Sequence, residues 1–300
     1  MNAPSGEQFE IGAAGQRAVV VEVGGGIRSY TADGEDVLDG YGVDAMSTSG
    51  RGQILTPWPN RLRNGSYEFD GKRHQLPLTE PEQHNAIHGL VRWLPWTVAE
   101  RAPDRIVVEN VMHPQPGYPF RVVLRIDYAL STEGLSIRST ATNVGERPCP
   151  YGIGAHPYLT VGTPTIDAAT LHVPASTVLL SDGEGIPTGT ARVEGTPYDF
   201  RRPRLIEGMR LDNAFTDLER DGEGVARIEL RHQGRGIALW MDQAYGYVMV
   251  FSGDPLPDVN RKSLAVEPMT CPPNAFSTGT ALVRLEPGEP FTAAWGISPC

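Results

Sequence analysis

The sequence predicts an all-β fold built from many short antiparallel strands, as a sandwich or a barrel. Three observations carry this expectation. Glycine and proline, at 34 and 26 residues, make up a fifth of the 300-residue chain, against roughly 12% in average usage. Proline removes a backbone donor and glycine costs entropy inside a helix, so this composition disfavours long helices. β-Branched apolar runs recur along the chain, and turn signals separate them at intervals of roughly 8–12 residues. Hydrophobic residues make up 40% of the sequence, enough to bury a large core. No short repeat argues for a propeller or solenoid, and no shift in composition marks a linker. Residues 1–300 therefore read as one domain, as all-β chains of this length often are.

The elements follow in order. Residues 17–23 (RAVVVEV) form a β-branched run that stops at Gly24-Gly25-Gly26, and residues 105–111 (RIVVENV) are similar. Residues 121–130 (RVVLRIDYAL) pass through Ser131-Thr132-Glu133-Gly134 into residues 135–142 (LSIRSTAT). In the second of these, Leu135, Ile137, Ser139 and Ala141 share one face, and Ser136, Arg138, Thr140 and Thr142 share the other. A period of two behind a glycine-bearing turn is a hairpin with one wetter face. Residues 226–230 (ARIEL) and 236–241 (GIALWM) flank a second turn at Gln233-Gly234-Arg235. Residues 247–251 (YVMVF) end at Ser252-Gly253-Asp254, and Leu285-Glu286-Pro287-Gly288-Glu289 is a turn before the last strand. Helices are expected only as short pieces between strands.

Charge and motifs exclude several function classes. The formal net charge of −10 disfavours contacts with nucleic-acid phosphates and with anionic membranes. The first residues carry neither a basic nor an apolar leader, and no apolar stretch nears the ~20 residues that span a bilayer. Cys149, Cys271 and Cys300 are odd in number and lack CxxC spacing, which reads as a reducing cytoplasm. Asn64-Gly65-Ser66 reads as a turn. There is no P-loop and no G-x-S-x-G elbow, and Gly183, Gly185 and Gly189 lie among turn residues and do not open a helix. His84 and His88 are four apart, but no glutamate follows the first and Gly89 follows the second, so no metal is expected.

Five segments are polar where a strand or turn has no need of it: Pro57-Trp58-Pro59-Asn60-Arg61, His84-Asn85-Ala86-Ile87-His88-Gly89, Tyr151-Gly152-Ile153-Gly154-Ala155-His156-Pro157-Tyr158, Leu211-Asp212-Asn213-Ala214-Phe215 and Leu264-Ala265-Val266-Glu267-Pro268-Met269. Taken singly, His156 could be a satisfied core histidine, Asp212 a turn cap and Glu267 the partner of an arginine. Apolar neighbours would raise a carboxyl pKa toward the range of a general acid or base, and a histidine starts near neutrality.

In order and approximate spacing, the five segments together resemble the aldose 1-epimerase, or galactose mutarotase, family. The resemblance runs from about Gly24 to the final strand. It implies a large antiparallel β-sandwich, a supersandwich, with the site in an open cleft on one sheet. It implies a mutarotase for free aldohexoses, with Glu267 as general base, His156 as general acid, and Asn60, Arg61, His88 and Asp212 binding the sugar. The implied partner is a small-molecule sugar. Ring opening and closure move no electrons, so no cofactor is implied. Acid and base are expected to face each other across a cleft that one sugar ring fills, with His156 as an imidazolium and Trp58 or Tyr158 as stacking surfaces. Two positions depart from the family pattern. Met249 stands where a glutamine is usual, which implies one missing sugar-hydroxyl contact, and Leu90 stands where a second glycine follows His-Gly, which implies an altered cleft wall. A hexose-6-phosphate mutarotase is the nearest alternative, with Arg51 and Arg63 near the C6 position. A non-catalytic carbohydrate-binding protein is another, although it has no need of an acid–base pair. A glycoside hydrolase would need two carboxylates across a scissile bond, for which only Asp212 and Glu267 offer themselves.

Overall fold

The computed structural model describes residues 3–254 and 256–300. Two antiparallel sheets dominate it. The larger has nine strands in the order Thr97–Arg101, Arg105–Met112, Val122–Ser131, Gly134–Asn143, Pro290–Pro299, Arg235–Met241, Ala226–His232, Thr170–His172 and Arg204–Leu205. The other runs Pro187–Arg192, Ala175–Ser181, Asp212–Leu218, Tyr247–Phe251, Leu264–Met269, Gly154–Ala155 and Ile54–Leu55, with Tyr158–Leu159 added beside Leu264–Met269. A four-stranded sheet holds Gln8–Ala13, Gln16–Val21, Ile27–Ala32 and Glu35–Asp36. The helical pieces are short, as expected: Pro81–Gln83, Ile166–Ala168 and Ala275–Thr278. Among the described residues no helix is long and apolar enough to cross a membrane.

Both expected hairpins form. Ser131 pairs with Gly134, so Thr132 and Glu133 make the turn, and Gly134 takes a φ of +118° that favours glycine. Leu135, Ile137, Ser139 and Ala141 are all buried, while Ser136 and Arg138 are exposed and Thr140 and Thr142 half-buried. His232 pairs with Arg235 across Gln233-Gly234, both at positive φ, as a two-residue hairpin turn requires.

One hydrophobic core joins the two large sheets. Ile106, Leu124, Ile126, Ile228, Leu239 and Ile297 of the nine-stranded sheet share it with Val178, Phe215, Val248, Val250, Leu264 and Val266 of the other. Alternation along a strand then sends the intervening residues to the opposite face. Val250 pairs with Val266 and faces the core, so Met249 and its partner Glu267 face outward. Every residue of Leu264–Met269 is nonetheless buried, because loops cover this outer face. The sheet thus places a carboxyl group where neither solvent nor the apolar core surrounds it fully.

Candidate active site

Glu267 projects from the outer face of Leu264–Met269 and is 2% exposed. His156 lies one residue beyond Gly154–Ala155, on the far side of that strand from Met249. Its backbone is pinned twice: its N–H donates to the Gln53 carbonyl (3.0 Å), and its carbonyl accepts from Gly52 N–H (2.9 Å). Its ring stacks on Tyr158, with centroids 5.0 Å apart, and meets His88 edge-on at 5.4 Å. Gly50 closes the remaining side. At a φ of +79°, a Cβ there would stand 2.6 Å from His156 Cδ2, so only glycine leaves room for the ring.

His156 Nε2 lies 3.3 Å from Glu267 Oε1. Burial pushes the Glu267 carboxyl well above the usual carboxylate range, with the charge of Asp212 adding to the shift and Arg61 opposing it. Burial takes the His156 imidazole down to about 3, helped by the positive charges of Arg92 and Arg51. Both shifts favour the proton of the pair on the carboxyl, with His156 as the neutral partner in the sugar-free site. Glu267 Oε2 and His156 Nδ1 are buried with no hydrogen-bond partner among the described residues.

Asn60 and His88 hold each other. Asn60 N–H donates to His88 Nδ1 (3.2 Å), and His88 N–H donates to the Asn60 carbonyl (3.0 Å), with both residues in the left-handed region. The bond to Nδ1 assigns the proton of His88 to Nε2, which makes that nitrogen a donor. Donor atoms of His88, His156 and Glu267 lie within 4.8 Å of one another, close enough to suggest a metal site. The tautomer of His88 argues against it, because a protonated nitrogen cannot ligate. Arg61 opens Arg61–Arg63 and forks onto Glu80, with Nε to Oε2 at 2.8 Å and Nη2 to Oε1 at 2.9 Å. The Asn60 side chain accepts from Arg61 N–H (2.8 Å). Asp212 enters at the exposed rim, opposite Phe251.

Asn60, Arg61, His88, His156, Asp212 and Glu267 all line one cleft of about 600 Å³, within the roughly 300–1,000 Å³ of small-molecule sites. Four expectations are corrected. Glu267 and His156 do not face each other across the cleft; they touch, on one wall. Trp58 and Tyr158 are buried and lie outside the cleft lining, Trp58 against Phe276 and Tyr158 against His156. Leu90 does not shape the cleft wall but packs against the main core. Arg51 and Arg63 are already committed. Arg51 is buried against Asp258 (2.8 Å) and Asp39 (3.4 Å), while Arg63 pairs with Glu184 (2.6 Å) and Asp182. The departure at Met249 does fall in the cleft, beside Glu267.

Sequence reading missed Gln53, Glu80, Arg92 and Trp93, which also line the cleft. Trp93 is 54% exposed, an aromatic face open to a ligand, with the Arg92 guanidinium 5.7 Å from its ring centre. Arg92-Trp93 lies just beyond His88-Gly89, a signal that chain proximity alone could have supplied.

The fold and cleft define a class: an antiparallel β-sandwich that buries a carboxyl–imidazole pair beside polar side chains suited to hydroxyl groups. The aldose 1-epimerase family model matches residues 7–298. The chain belongs to the aldose 1-epimerase family. It is 33% identical over 296 residues to the uncharacterized protein YihR of Escherichia coli K12, covering 98% of this chain and 93% of that one. It is 25% identical over 284 residues to the uncharacterized protein YphB of the same organism, covering 93% of each. Among solved structures it resembles a GalM/aldose epimerase homologue from C. elegans, with a TM-score of 0.88, 19% identity and 98% of both chains covered. It also resembles a galactose 1-epimerase from Lactobacillus acidophilus, with a TM-score of 0.81, 19% identity, and 100% of this chain and 97% of that one covered.

Proposed function

We propose that this protein is an aldose 1-epimerase that interconverts the α and β anomers of a free aldohexose, with Glu267 as general base and His156 as general acid. The observation that carries this reading is the 3.3 Å contact between two buried groups whose pKa values are pushed in opposite directions. Anomerisation removes a proton from the C1 hydroxyl and delivers one to the ring oxygen. Both oxygens are bonded to C1, so acid and base must be neighbours, and two groups in contact serve better than two across a cleft.

The pair holds one proton at neutral pH, resting on Glu267 in the dry site. A bound sugar brings hydroxyl groups that stabilise charge. The proton then crosses to His156, leaving a carboxylate beside an imidazolium. Glu267 takes the proton of the C1 hydroxyl as His156 protonates the ring oxygen, and the ring opens to the aldehyde. Rotation about the C1–C2 bond presents the other carbonyl face. Closure reverses both transfers and restores the pair. Each group contributes roughly 10²–10⁴-fold. No electrons move and no group is transferred, so the reaction needs no cofactor.

His88 Nε2–H and the Arg61 donors left free by Glu80 suit the ring oxygen and nearby hydroxyls, and offset charge that develops there. Asn60 and Asp212 suit further hydroxyls, and Trp93 the apolar face of the ring. The commitment of Arg51 and Arg63 to carboxylates favours a free sugar over a 6-phosphate. Three unpaired cysteines support a cytoplasmic location. Polarimetry of freshly dissolved α-glucose and α-galactose tests the reading. The protein should speed the approach to equilibrium for at least one, and His156→Asn should cut that effect by about 10²-fold or more. No acceleration of any free aldohexose would sink it.

A further inference from the structure

We propose that Met249 determines which sugars the site accepts: it makes the site read C2 of the aldose by apolar contact and not by a hydrogen bond, so that a 2-deoxy-aldose is turned over as efficiently as its 2-hydroxy parent. This rests on the epimerase reading of Glu267 and His156. Three strands fix the order of groups along the cleft floor. Met249 pairs directly with Glu267, and His156 comes from the opposite side of the Glu267 strand. In a pyranose the ring oxygen, C1 and C2 follow in the same order. With His156 at the ring oxygen and Glu267 at the C1 hydroxyl, the C2 substituent falls over Met249.

Met249 itself is held among apolar side chains. Met249 is 5% exposed and packs with Ala214, its partner on the next strand, and with Leu179 and Met269. A thioether sulfur is at best a weak acceptor. On the strand beside Met249 the cleft-lining charge is Asp212, which enters at the rim opposite Phe251, two residues along the strand from Met249, and so serves positions further round the ring. A C2 hydroxyl placed on Met249 loses water and gains no partner. An apolar wall tolerates such a group but draws no binding from it, and rejects it by at most about 10²-fold. The site thereby accepts aldoses that differ at C2.

The test compares polarimetric kcat/KM on D-glucose and on 2-deoxy-D-glucose, each divided by its uncatalysed rate, for the wild type, Met249→Gln and Met249→Leu. The wild type should favour the 2-deoxy sugar or treat the two alike. Met249→Gln, which adds a donor and an acceptor at similar size, should shift the ratio toward the 2-hydroxy sugar by about tenfold, the worth of one hydrogen bond. Met249→Leu, which adds neither, should keep the wild-type ratio. A wild-type preference for D-glucose above tenfold, or an unchanged ratio in Met249→Gln, overturns the inference while leaving the epimerase reading intact. Acceleration of neither sugar overturns both.

Discussion

Glu267 and His156 are paired by two opposite shifts, and each leaves a mark on stability as well as on rate. The carboxyl of Glu267 is held above its ordinary value of about 4.3. Its contribution to stability is thus present below that pH and is lost as pH rises through the raised value. His156 is depressed from its ordinary value of about 6.5 to about 3. Its contribution is present above its ordinary value and is lost as pH falls toward 3. Glu267→Gln should therefore gain stability relative to the wild type as pH rises above the ordinary carboxyl range, which urea midpoints across a pH series would detect. A constant difference between the two proteins would mean that the carboxyl is not shifted. Trp93→Ala should raise KM several-fold with little change in kcat, since a stacking face binds ground state and transition state alike. A fall in kcat at constant KM would contradict that role. Glu267 and His156 stood out in the sequence as lone polar residues among apolar or stiff neighbours, while the roles proposed for them came from the family resemblance. Their protonation was not legible, because it depends on Arg92, Arg51 and Asp212, which only folding brings near.

At the scale of elements, alternation in Tyr247–Phe251 and Leu264–Met269 turns Met249 and Glu267 away from the core, and a glycine loop shapes the space for His156. Gly50 and Gly71 both adopt positive φ, but a Cβ at Gly50 meets the His156 ring, whereas none of the described atoms lies within 4 Å at Gly71. Alanine at either position should cost about 1–2 kcal/mol for the left-handed backbone. Only Gly50→Ala should also lower kcat, by displacing the imidazole, and equal kcat in the two variants would disprove the packing role. The strands and both hairpins were legible, since β-branched runs and glycine turns are local signals. Residues 135–142 alternate between buried and more exposed positions, a period that needs no tertiary information. The roles of Trp58, Tyr158 and Leu90 were not legible, because whether an aromatic or aliphatic side chain faces a cleft or a core is decided by partners far away in sequence.

For the whole molecule, one core shared by two sheets supports a cleft that sits on the outer face of the smaller sheet. Stability and chemistry are therefore separable. Leu124 is buried in the nine-stranded sheet and lies outside the cleft lining. Leu124→Ala should cost about 2–5 kcal/mol in denaturant unfolding, while the rate per folded molecule stays at the wild-type level. A matching loss of rate would mean that the core sets the site geometry more directly than the strand order suggests. An antiparallel all-β fold, sandwich or barrel, was legible from glycine and proline frequency and from strand spacing, and the family resemblance pointed to the sandwich. The order in which nine and eight strands pair was not legible, because Pro290–Pro299 inserts between Gly134–Asn143 and Arg235–Met241, a long-range pairing that no local pattern announces.

The central claim is that the Glu267–His156 pair moves the protons of anomerisation. Polarimetry of freshly dissolved α-D-glucose with wild type and with Glu267→Gln, at matched concentrations of folded protein, tests it most directly. The wild type should bring the rotation to equilibrium faster than buffer alone, and Glu267→Gln should fall back to the buffer rate or within about 10²-fold of losing the whole effect. A variant that keeps the full wild-type rate would contradict the claim.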